Sequence, residues 1–278
     1  MNINGKGRYA FFILFIIAAM LLVTMLLPAW FSQWFWIWML NMALMFVIAG
    51  VIGLSIKGST GFWAIFVDYR RMVSLSRFQI VLWTIVILSA FWTVAIGRVG
   101  DSIRNPAGYQ CTSQNATTCS APLALTLPPI LWALMGISIT SSVASPLIKE
   151  EKDRRKTAAA DTAIALRNAD TNDAIKTAAA NKADGERLFR KGPDLNPEFA
   201  DMFHGESNET KNFVDIAKVQ NFFFTLVALA AYVAAIGAAL SQVHSIALFF
   251  QFPPIDQSLV TILGISHAGY LTSKAVTN

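Results

Sequence analysis

The sequence predicts an all-α membrane protein with six transmembrane helices, in which helices 3–4 and 5–6 form a tandem parallel repeat. Apolar residues make up 55% of the chain and charged residues 14%, whereas soluble domains carry roughly 25% charged residues. Uncharged apolar stretches recur along the chain, each long enough to supply the roughly 20 residues that cross a hydrocarbon core of ~30 Å. We expect helices at 10–27, 35–56, 78–97, 130–148, 219–240 and 256–273.

The first two helices come from one uncharged run, residues 9–56, which Pro28 interrupts. Lys6 and Arg8 precede this run as basic residues precede a secretion signal. The apolar stretch before Pro28, however, is longer than the roughly 7–15 residues of a cleaved signal. We therefore expect residues 1–56 to form a retained N-terminal transmembrane hairpin.

The other four helices are encoded as a repeated pair. Each copy has polar residues with a Gln, an apolar run, a Pro-Pro-Ile, and a second apolar run around Gly-Ile-Ser. These elements are SRFQ (76–79) and KVQ (218–220), Pro-Pro-Ile at 128–130 and 253–255, and GISITSSVASPLIK (136–149) and GISHAGYLTSKA (264–275). Both pairs start on the same side, as parallel repeats related by an axis along the membrane normal do. The predicted equivalences are Gln79 with Gln220, Thr84 with Thr225, and Gly136 with Gly264.

Two segments between the helices separate the first repeat, 78–148, from its neighbours. Residues 57–77 combine an apolar patch too short to span with several Arg, which suits a helix or re-entrant piece at the membrane interface. Residues 149–217 begin rich in Ala and charge, which predicts an exposed cytoplasmic helical extension. Further on, Phe199 and Phe203 share one face and should lie on the membrane or on neighbouring helices. The second repeat, 218–278, follows.

Orientation follows from the positions of Lys and Arg. If the N-terminus is cytoplasmic, all but two of the 22 Lys and Arg residues are cytoplasmic, the exceptions being Arg98 and Arg104. This asymmetry matches the positive-inside rule. It explains the isoelectric point near 9.3 without a nucleic-acid partner. We expect a multi-pass protein in the lipid bilayer of the bacterial inner membrane, with both termini cytoplasmic.

Both cysteines lie in the loop between helices three and four. Cys111 and Cys119 are close in sequence, and the charge rule places this loop outside the cytoplasm. Two cysteines in a short loop exposed to an oxidising compartment predict a disulfide, with two unpaired thiols as the alternative.

Several segments resemble a family of bacterial inner-membrane proteins that has no assigned activity. They are SLSRFQ, GISITSSVASPLIK, DMFHGE, KVQNFFFTL and GISHAGYLTSKA, within residues 68–275. The resemblance implies a bacterial envelope protein and adds no mechanism.

Uncharged polar residues concentrate in the second helix of each repeat. Helical spacing places Ser138, Ser142 and Ser145 on one face of helix four, and His267, Tyr270 and Lys274 on one face of helix six, beside Ser266. Such faces either pack against neighbouring helices through hydroxyl hydrogen bonds or line a water-accessible path within one chain or around an oligomer axis. Gly136 and Gly264 suit close backbone approach between helices.

Catalytic and metal-binding patterns are weak. A Ser on helix four and a His on helix six resemble the dyad of rhomboid intramembrane proteases, which would involve Ser138 and His267. Rhomboids, however, have Gly directly after the Ser, where this chain has Ile139. The repeat also explains Ser138 without catalysis, because Ser266 matches it. No metal-ligand spacing or phosphate loop is present in the sequence. We therefore expect neither an enzyme nor a bound cofactor or metal.

Two functional hypotheses remain. The first is a channel- or pore-like permeation protein that acts as a homo-oligomer and is lined by the repeated polar helices. The second is a membrane scaffold that recruits a cytoplasmic protein through residues 149–212. We favour permeation, because an anchor has no need of duplicated polar helices.

The topology can be tested by labelling. On a background in which both native cysteines are replaced by Ser, a maleimide that cannot cross membranes should label a cysteine at Ser113 in intact cells. It should not label one at Ala180, because the charge rule places that position in the cytoplasm. Labelling at Ala180 from outside would contradict the orientation.

Overall fold

In a computed structural model, the described residues form helices joined by short turns. The structure describes residues 3–29, 33–56, 61–109, 121–133, 136–137, 139–140, 144, 147–148, 151, 154, 158, 189–192 and 195–276. Five α-helices have both ends in this part: α1 (Ile3–Leu26), α2 (Trp34–Ser55), α3 (Leu75–Arg104), α4 (Ile216–Gln242) and α5 (Gln257–Val276). The described residues from 129 to 158 are also helical. Short 3-10 helices occur at Leu27–Ala29, Gly61–Phe66, Pro106–Tyr109, Phe199–Phe203 and Ile246–Leu248.

Four of these helices are long and apolar enough to span a membrane. The segments are Arg8–Leu26, Trp34–Ser55, Leu75–Arg104 and Ile216–Gln242. They identify the chain as a membrane protein and correspond to four of the six predicted spans. At 30 residues, α3 is about 45 Å long and exceeds the thickness of a hydrocarbon core. The helix α5 is not among the four, since it carries Ser, Thr and His side chains along its length.

The chain divides into two compact units, each built from separate stretches of sequence. The first unit comprises Met1–Ile65, Val81–Met135 and Leu226–Val260, and the second comprises Phe66–Ile80, Gly136–Thr225 and Thr261–Asn278. The helices α3, α4 and α5 each contribute residues to both units. The predicted division of the chain into consecutive segments, from 1–56 to 218–278, stays a prediction.

In the first unit, Asn41 connects three helices. Its side-chain nitrogen donates to Thr24 Oγ1 of α1 and to Thr93 Oγ1 of α3, both at 2.9 Å. One turn earlier on α2, Trp38 Nε1 donates to Ser89 Oγ of α3 at 3.1 Å. These side chains are buried. Hydrogen bonds between apolar helices hold the helices in one register.

In the same unit, α3 and α4 run in the same direction. The rings of Trp83, in the first third of α3, and Tyr232, just past the middle of α4, lie with centroids 6.1 Å apart. Farther along α3, Arg98 donates to the carbonyl of Phe249, which follows the end of α4. Contacts that advance together along both helices indicate a parallel pair.

Arg98 makes four described hydrogen bonds to the backbone of the first unit. Its guanidinium donates to the carbonyls of Pro122 (2.9 Å), Ala121 (3.1 Å), Ala247 (3.2 Å) and Phe249 (2.7 Å). The sequence placed this residue in a loop after a helix ending at residue 97. Instead α3 continues to Arg104 and the side chain is fully buried. Burial is tolerated because backbone carbonyls accept the hydrogen bonds of the guanidinium.

The two connections that Arg98 contacts also bind each other. Thr126 N donates to Phe250 O at 2.9 Å, and Phe252 N donates to Thr126 O at 3.2 Å. The guanidinium of Arg98 lies over the rings of Tyr109 and Phe250, 5.7 and 5.0 Å from their centroids. Burial raises the pKa of the Tyr109 phenol, and the nearby Asp101 carboxylate acts in the same direction.

Within the segment 57–77, the described residues 61–77 form a 3-10 helix, a turn and the start of α3, and the predicted position at the membrane interface stays a prediction. After the 3-10 helix Gly61–Phe66, Val67 pairs with Val73 across a tight turn. Within it, Asp68 N donates to Met72 O (2.8 Å) and Arg71 N donates to Asp68 O (2.9 Å). Arg71 has a φ of 61°, a conformation that suits Gly better than Arg.

The predicted disulfide between Cys111 and Cys119 lies outside the described residues, which omit 110–120. It stays a prediction.

Glycines fill the tightest helix contacts of the first unit. A Cβ at Gly97 would lie 2.7 Å from Trp34 Cζ3, and one at Gly237 would lie 3.0 Å from Phe35 Cε2. By contrast, a Cβ at Gly136 would meet no described atom within 4 Å, and one at Gly264 would make an ordinary contact of 3.7 Å with Ile137. The described residues therefore show close packing at glycines other than the predicted pair.

A pair of Gly→Ala substitutions tests these contacts. Gly97→Ala should destabilise the protein by roughly 1–3 kcal/mol, because the added methyl overlaps the Trp34 ring. Gly136→Ala is the matched control and should be neutral or stabilising by up to about 1 kcal/mol, because Ala favours helix. Thermal unfolding in detergent, followed by circular dichroism, measures both. Equal melting temperatures would contradict the packing argument.

Candidate functional site

The second unit has a polar interior that begins with a network of buried charges. Glu206 Oε1 lies 3.3 Å from Lys218 Nζ and 3.8 Å from Arg70 Nη2. Asp68 Oδ2 lies 3.5 Å from Arg70 Nε. Lys218 Nζ also donates to the carbonyl of His204 at 2.6 Å. Two cations and two carboxylates therefore balance, as burial requires.

A second ion pair fixes the residues that precede Glu206. Lys191 Nζ lies 2.7 Å from Asp201 Oδ1, and Asp201 Oδ2 accepts a hydrogen bond from Glu198 N at 2.8 Å. The backbone N–H of Lys191 donates to the carbonyl of Arg70 at 3.1 Å. These bonds attach this stretch to the turn at residues 67–73.

Aromatic rings cover the start of α3 and α4 beside this network. Phe199 and Phe203 lie 5.7 Å apart, and each contacts Phe222 of α4, at 6.1 and 5.2 Å between ring centroids. Phe199 also contacts Phe78 of α3 at 6.1 Å. Of the two predicted positions for Phe199 and Phe203, on the membrane or on neighbouring helices, the described contacts are with neighbouring helices. Residues 195–215 are thus packed within the second unit, and the predicted cytoplasmic helical extension over 149–217 stays a prediction.

A neutral polar cluster lies between α3 and α4, about one turn after Lys218 along α4. Gln79 Nε2 donates to Thr225 Oγ1 at 2.7 Å, with Asn221 O at 3.4 Å. Asn221 and Thr225 are four residues apart, so they share one face of α4. All three side chains are at most 3% exposed. We call these residues the amide cluster.

The amide cluster has unused hydrogen-bonding capacity. Gln79 Oε1 and both side-chain polar atoms of Asn221 have no hydrogen-bond partner among the described residues. Because Oδ1 and Nδ2 of Asn221 are both unpaired, exchanging them does not alter this. A buried polar group without a partner costs several kcal/mol in an apolar environment. The arrangement therefore favours contact with a small polar molecule.

The first unit also has unpaired polar atoms, but they do not form such a group. They are Asn41 Oδ1, Trp92 Nε1 and Tyr232 OH. Asn41 already makes two hydrogen bonds through its nitrogen. The amide cluster differs because an adjacent Gln and Asn leave both acceptors and a donor free.

Only part of the predicted polar faces lies in the described residues. His267 is 5% exposed, and its Nδ1 has no described partner. Ser266 is half-buried. Tyr270 and Lys274 belong to α5, but their side chains are outside the described part. Ser138, Ser142 and Ser145 lie outside the described residues altogether. That the two faces line a common water-accessible path therefore stays a prediction.

The described residues contain no group of three or more His, Cys, Asp or Glu side chains arranged to hold a metal ion. No protein-family model matches the chain, and no curated protein or solved structure is significantly similar to it. The candidate site therefore has to be interpreted from its own chemistry.

Neither Asn221 nor Gln79 was selected as a site residue from the sequence. The available indication was an amide near the start of each long apolar run, Gln79 in one and Asn221 in the other. The predicted repeat instead paired Gln79 with Gln220, which is exposed. The structure places Gln79 beside Thr225.

The charged network should contribute strongly to stability. Glu206→Gln would remove one of the two described carboxylates that balance Arg70 and Lys218, and should destabilise the protein by about 3–5 kcal/mol. Glu209→Gln, at an exposed position three residues away, should change stability by no more than about 0.5 kcal/mol. Thermal unfolding in detergent compares them. Similar melting temperatures would show that the network is not needed for folding.

Proposed function

We propose that the chain is a permeation protein of the bacterial inner membrane that acts as a homo-oligomer. The observation that supports this most is the amide cluster, because fully buried amides with unpaired atoms suit a path that admits polar molecules. Dry helix packing would pair these atoms with one another or with the backbone.

The proposal includes six spans, four from the apolar helices and two from 130–148 and 256–273. With both termini cytoplasmic, the amide cluster lies near the cytoplasmic ends of α3 and α4. Arg98 then lies toward the opposite end of α3. The polar faces of helices four and six, through Ser138 and His267, would contribute further along the path or at contacts between copies.

The tandem repeat remains part of the proposal, with a revised register. Buried residues of α4 include Lys218, Asn221 and Thr225. An offset of 142 residues between the repeats matches these three residues with positions 76, 79 and 83 of α3, which are also buried. The offset of 141 that the sequence predicted matches them with 77, 80 and 84, which are not buried. We therefore infer that Gln79 corresponds to Asn221.

A scaffold remains the second candidate. The packing of residues 195–215 against α3 and α4 provides a rigid surface on the proposed cytoplasmic side, which suits recruitment of a protein partner. In that case the amide cluster would be a site of buried water without transport.

Water access distinguishes these candidates. On a background without native cysteines, Thr225→Cys should react with the small neutral reagent methyl methanethiosulfonate in membranes, because the proposed path reaches it. Ala228→Cys, fully buried about one turn farther along α4, is the matched control and should react slowly.

The accompanying measurement is solute flux. Purified protein in liposomes should accelerate the flux of at least one class of small solute, either ions or uncharged molecules, above protein-free vesicles. Equal, slow modification at both cysteine positions together with no protein-dependent flux of either class would contradict permeation and favour the scaffold.

A further inference from the structure

We propose that the amide cluster is a binding site for small uncharged solutes that both donate and accept hydrogen bonds, such as urea or glycerol. This inference rests on the permeation function proposed above and specifies the substrate class. Three observations support it: the unpaired hydrogen-bonding atoms of the cluster, the paired charges next to it, and the hydrogen bond between Gln79 and Thr225.

The cluster offers a mixed set of hydrogen-bonding groups. Gln79 Oε1 and Asn221 Oδ1 can accept, and Asn221 Nδ2 can donate. A solute with an N–H or O–H group and an oxygen acceptor can satisfy these atoms at the same time. A solute that only accepts or only donates would leave part of the cluster unpaired, which costs free energy in a buried site.

Ions are poorly matched to this site. A cation that enters a narrow path needs oxygen ligands to replace its hydration shell, and Gln79 and Asn221 supply two side-chain carbonyls. An anion would need several donors or a free positive charge. The nearest cation along this face of α4, Lys218, is already paired with Glu206 and with the His204 carbonyl.

The charged network next to the cluster supports the same selectivity. Lys218 lies three residues before Asn221 and therefore on the same face of α4. Its charge and that of Arg70 are balanced by Glu206 and Asp68. Because these charges are paired, a solute that approaches along this face meets no net charge that would attract or repel it.

The direct bond between Gln79 and Thr225 limits size. At 2.7 Å between Nε2 and Oγ1, no molecule fits between these two atoms. A solute can pass only by taking the place of this bond, so that its own oxygen accepts from Gln79 Nε2 while its donor reaches Thr225 Oγ1. This exchange suits urea and glycerol and excludes sucrose.

The test compares solutes and variants in liposomes that contain the full chain. Stopped-flow light scattering measures uptake of urea, glycerol and sucrose, and ion-sensitive dyes measure K⁺ and Cl⁻ flux. We expect protein-dependent uptake of urea and glycerol, and none of sucrose, K⁺ or Cl⁻.

Substitutions assign the selectivity to the cluster. Asn221→Leu keeps the number and branching of the side-chain heavy atoms, removes the amide and should lower urea uptake about tenfold, since it removes hydrogen bonds to the solute. Gln79→Leu should do the same. Gln220→Leu, an exposed amide next to Asn221 in sequence, is the control and should retain wild-type uptake. Size-exclusion profiles and melting temperatures identify variants that misfold.

If Asn221→Leu does not fold, Asn221→Asp provides a second measurement. A carboxylate at this position should suppress uptake of neutral solutes and introduce K⁺ flux if solutes contact the side chain. Wild-type flux of K⁺ or Cl⁻ without urea or glycerol uptake would overturn this inference while permeation stands. Uptake of urea that is equal in the wild type, Asn221→Leu and Asn221→Asp would also overturn it. Absence of every flux would instead contradict the proposed function itself.

Discussion

A polar group that is removed from water must find its hydrogen bonds inside the protein, and the placement of the buried charges follows from this constraint. Hydrocarbon supplies no partner, so each unpaired group costs several kcal/mol. Arg98, Arg70, Lys218 and Asp201 are all buried, and each is bonded within its own unit. The helices can therefore carry charges near their ends without exposing them to lipid.

The two units satisfy this constraint in different ways. Arg98 donates to four backbone carbonyls of the chain segments beside it. Arg70 and Lys218 share the carboxylate of Glu206. Carbonyl acceptors hold the backbone in place and remain acceptors at any pH. Carboxylate acceptors fix the side chains of a folded segment and depend on ionisation. The first arrangement suits a permanent junction, and the second suits a packed segment attached to helix ends.

Sequence periodicity and composition were sufficient to predict the four long apolar helices, whereas for Phe199 and Phe203 they left the membrane and the neighbouring helices as alternatives. Apolar length alone determines whether a segment can span a bilayer, which is why these helices could be predicted. The burial of Arg98 could not, because its acceptors are backbone carbonyls that carry no residue-specific pattern. Glu206 joins residues that are far apart in sequence, so no local spacing indicates its network.

The amide cluster illustrates the same limit on a smaller scale. Gln79 and Asn221 were visible as polar residues in apolar runs, but their proximity depends on how α3 and α4 pack. A shift of one residue in the register between two helices turns a side chain by about 100°. This rotation is why Gln220 is exposed whereas Asn221, the next residue of α4, is buried. Sequence similarity pairs Gln79 with Gln220, but burial identifies Asn221 as the residue that faces α3.

The carbonyls that bind Arg98 are synthesised at very different times after Arg98 itself. Ala121 and Pro122 follow Arg98 by 23 and 24 residues, but Phe249 follows it by 151. At about 5–20 residues per second, synthesis of that interval takes roughly 8–30 s. Throughout this time two of the four described carbonyl acceptors of the guanidinium, those of Ala247 and Phe249, are still missing. The insertion machinery, or water at the membrane surface, must therefore accommodate a partly solvated Arg until the nascent chain delivers the remaining two carbonyls.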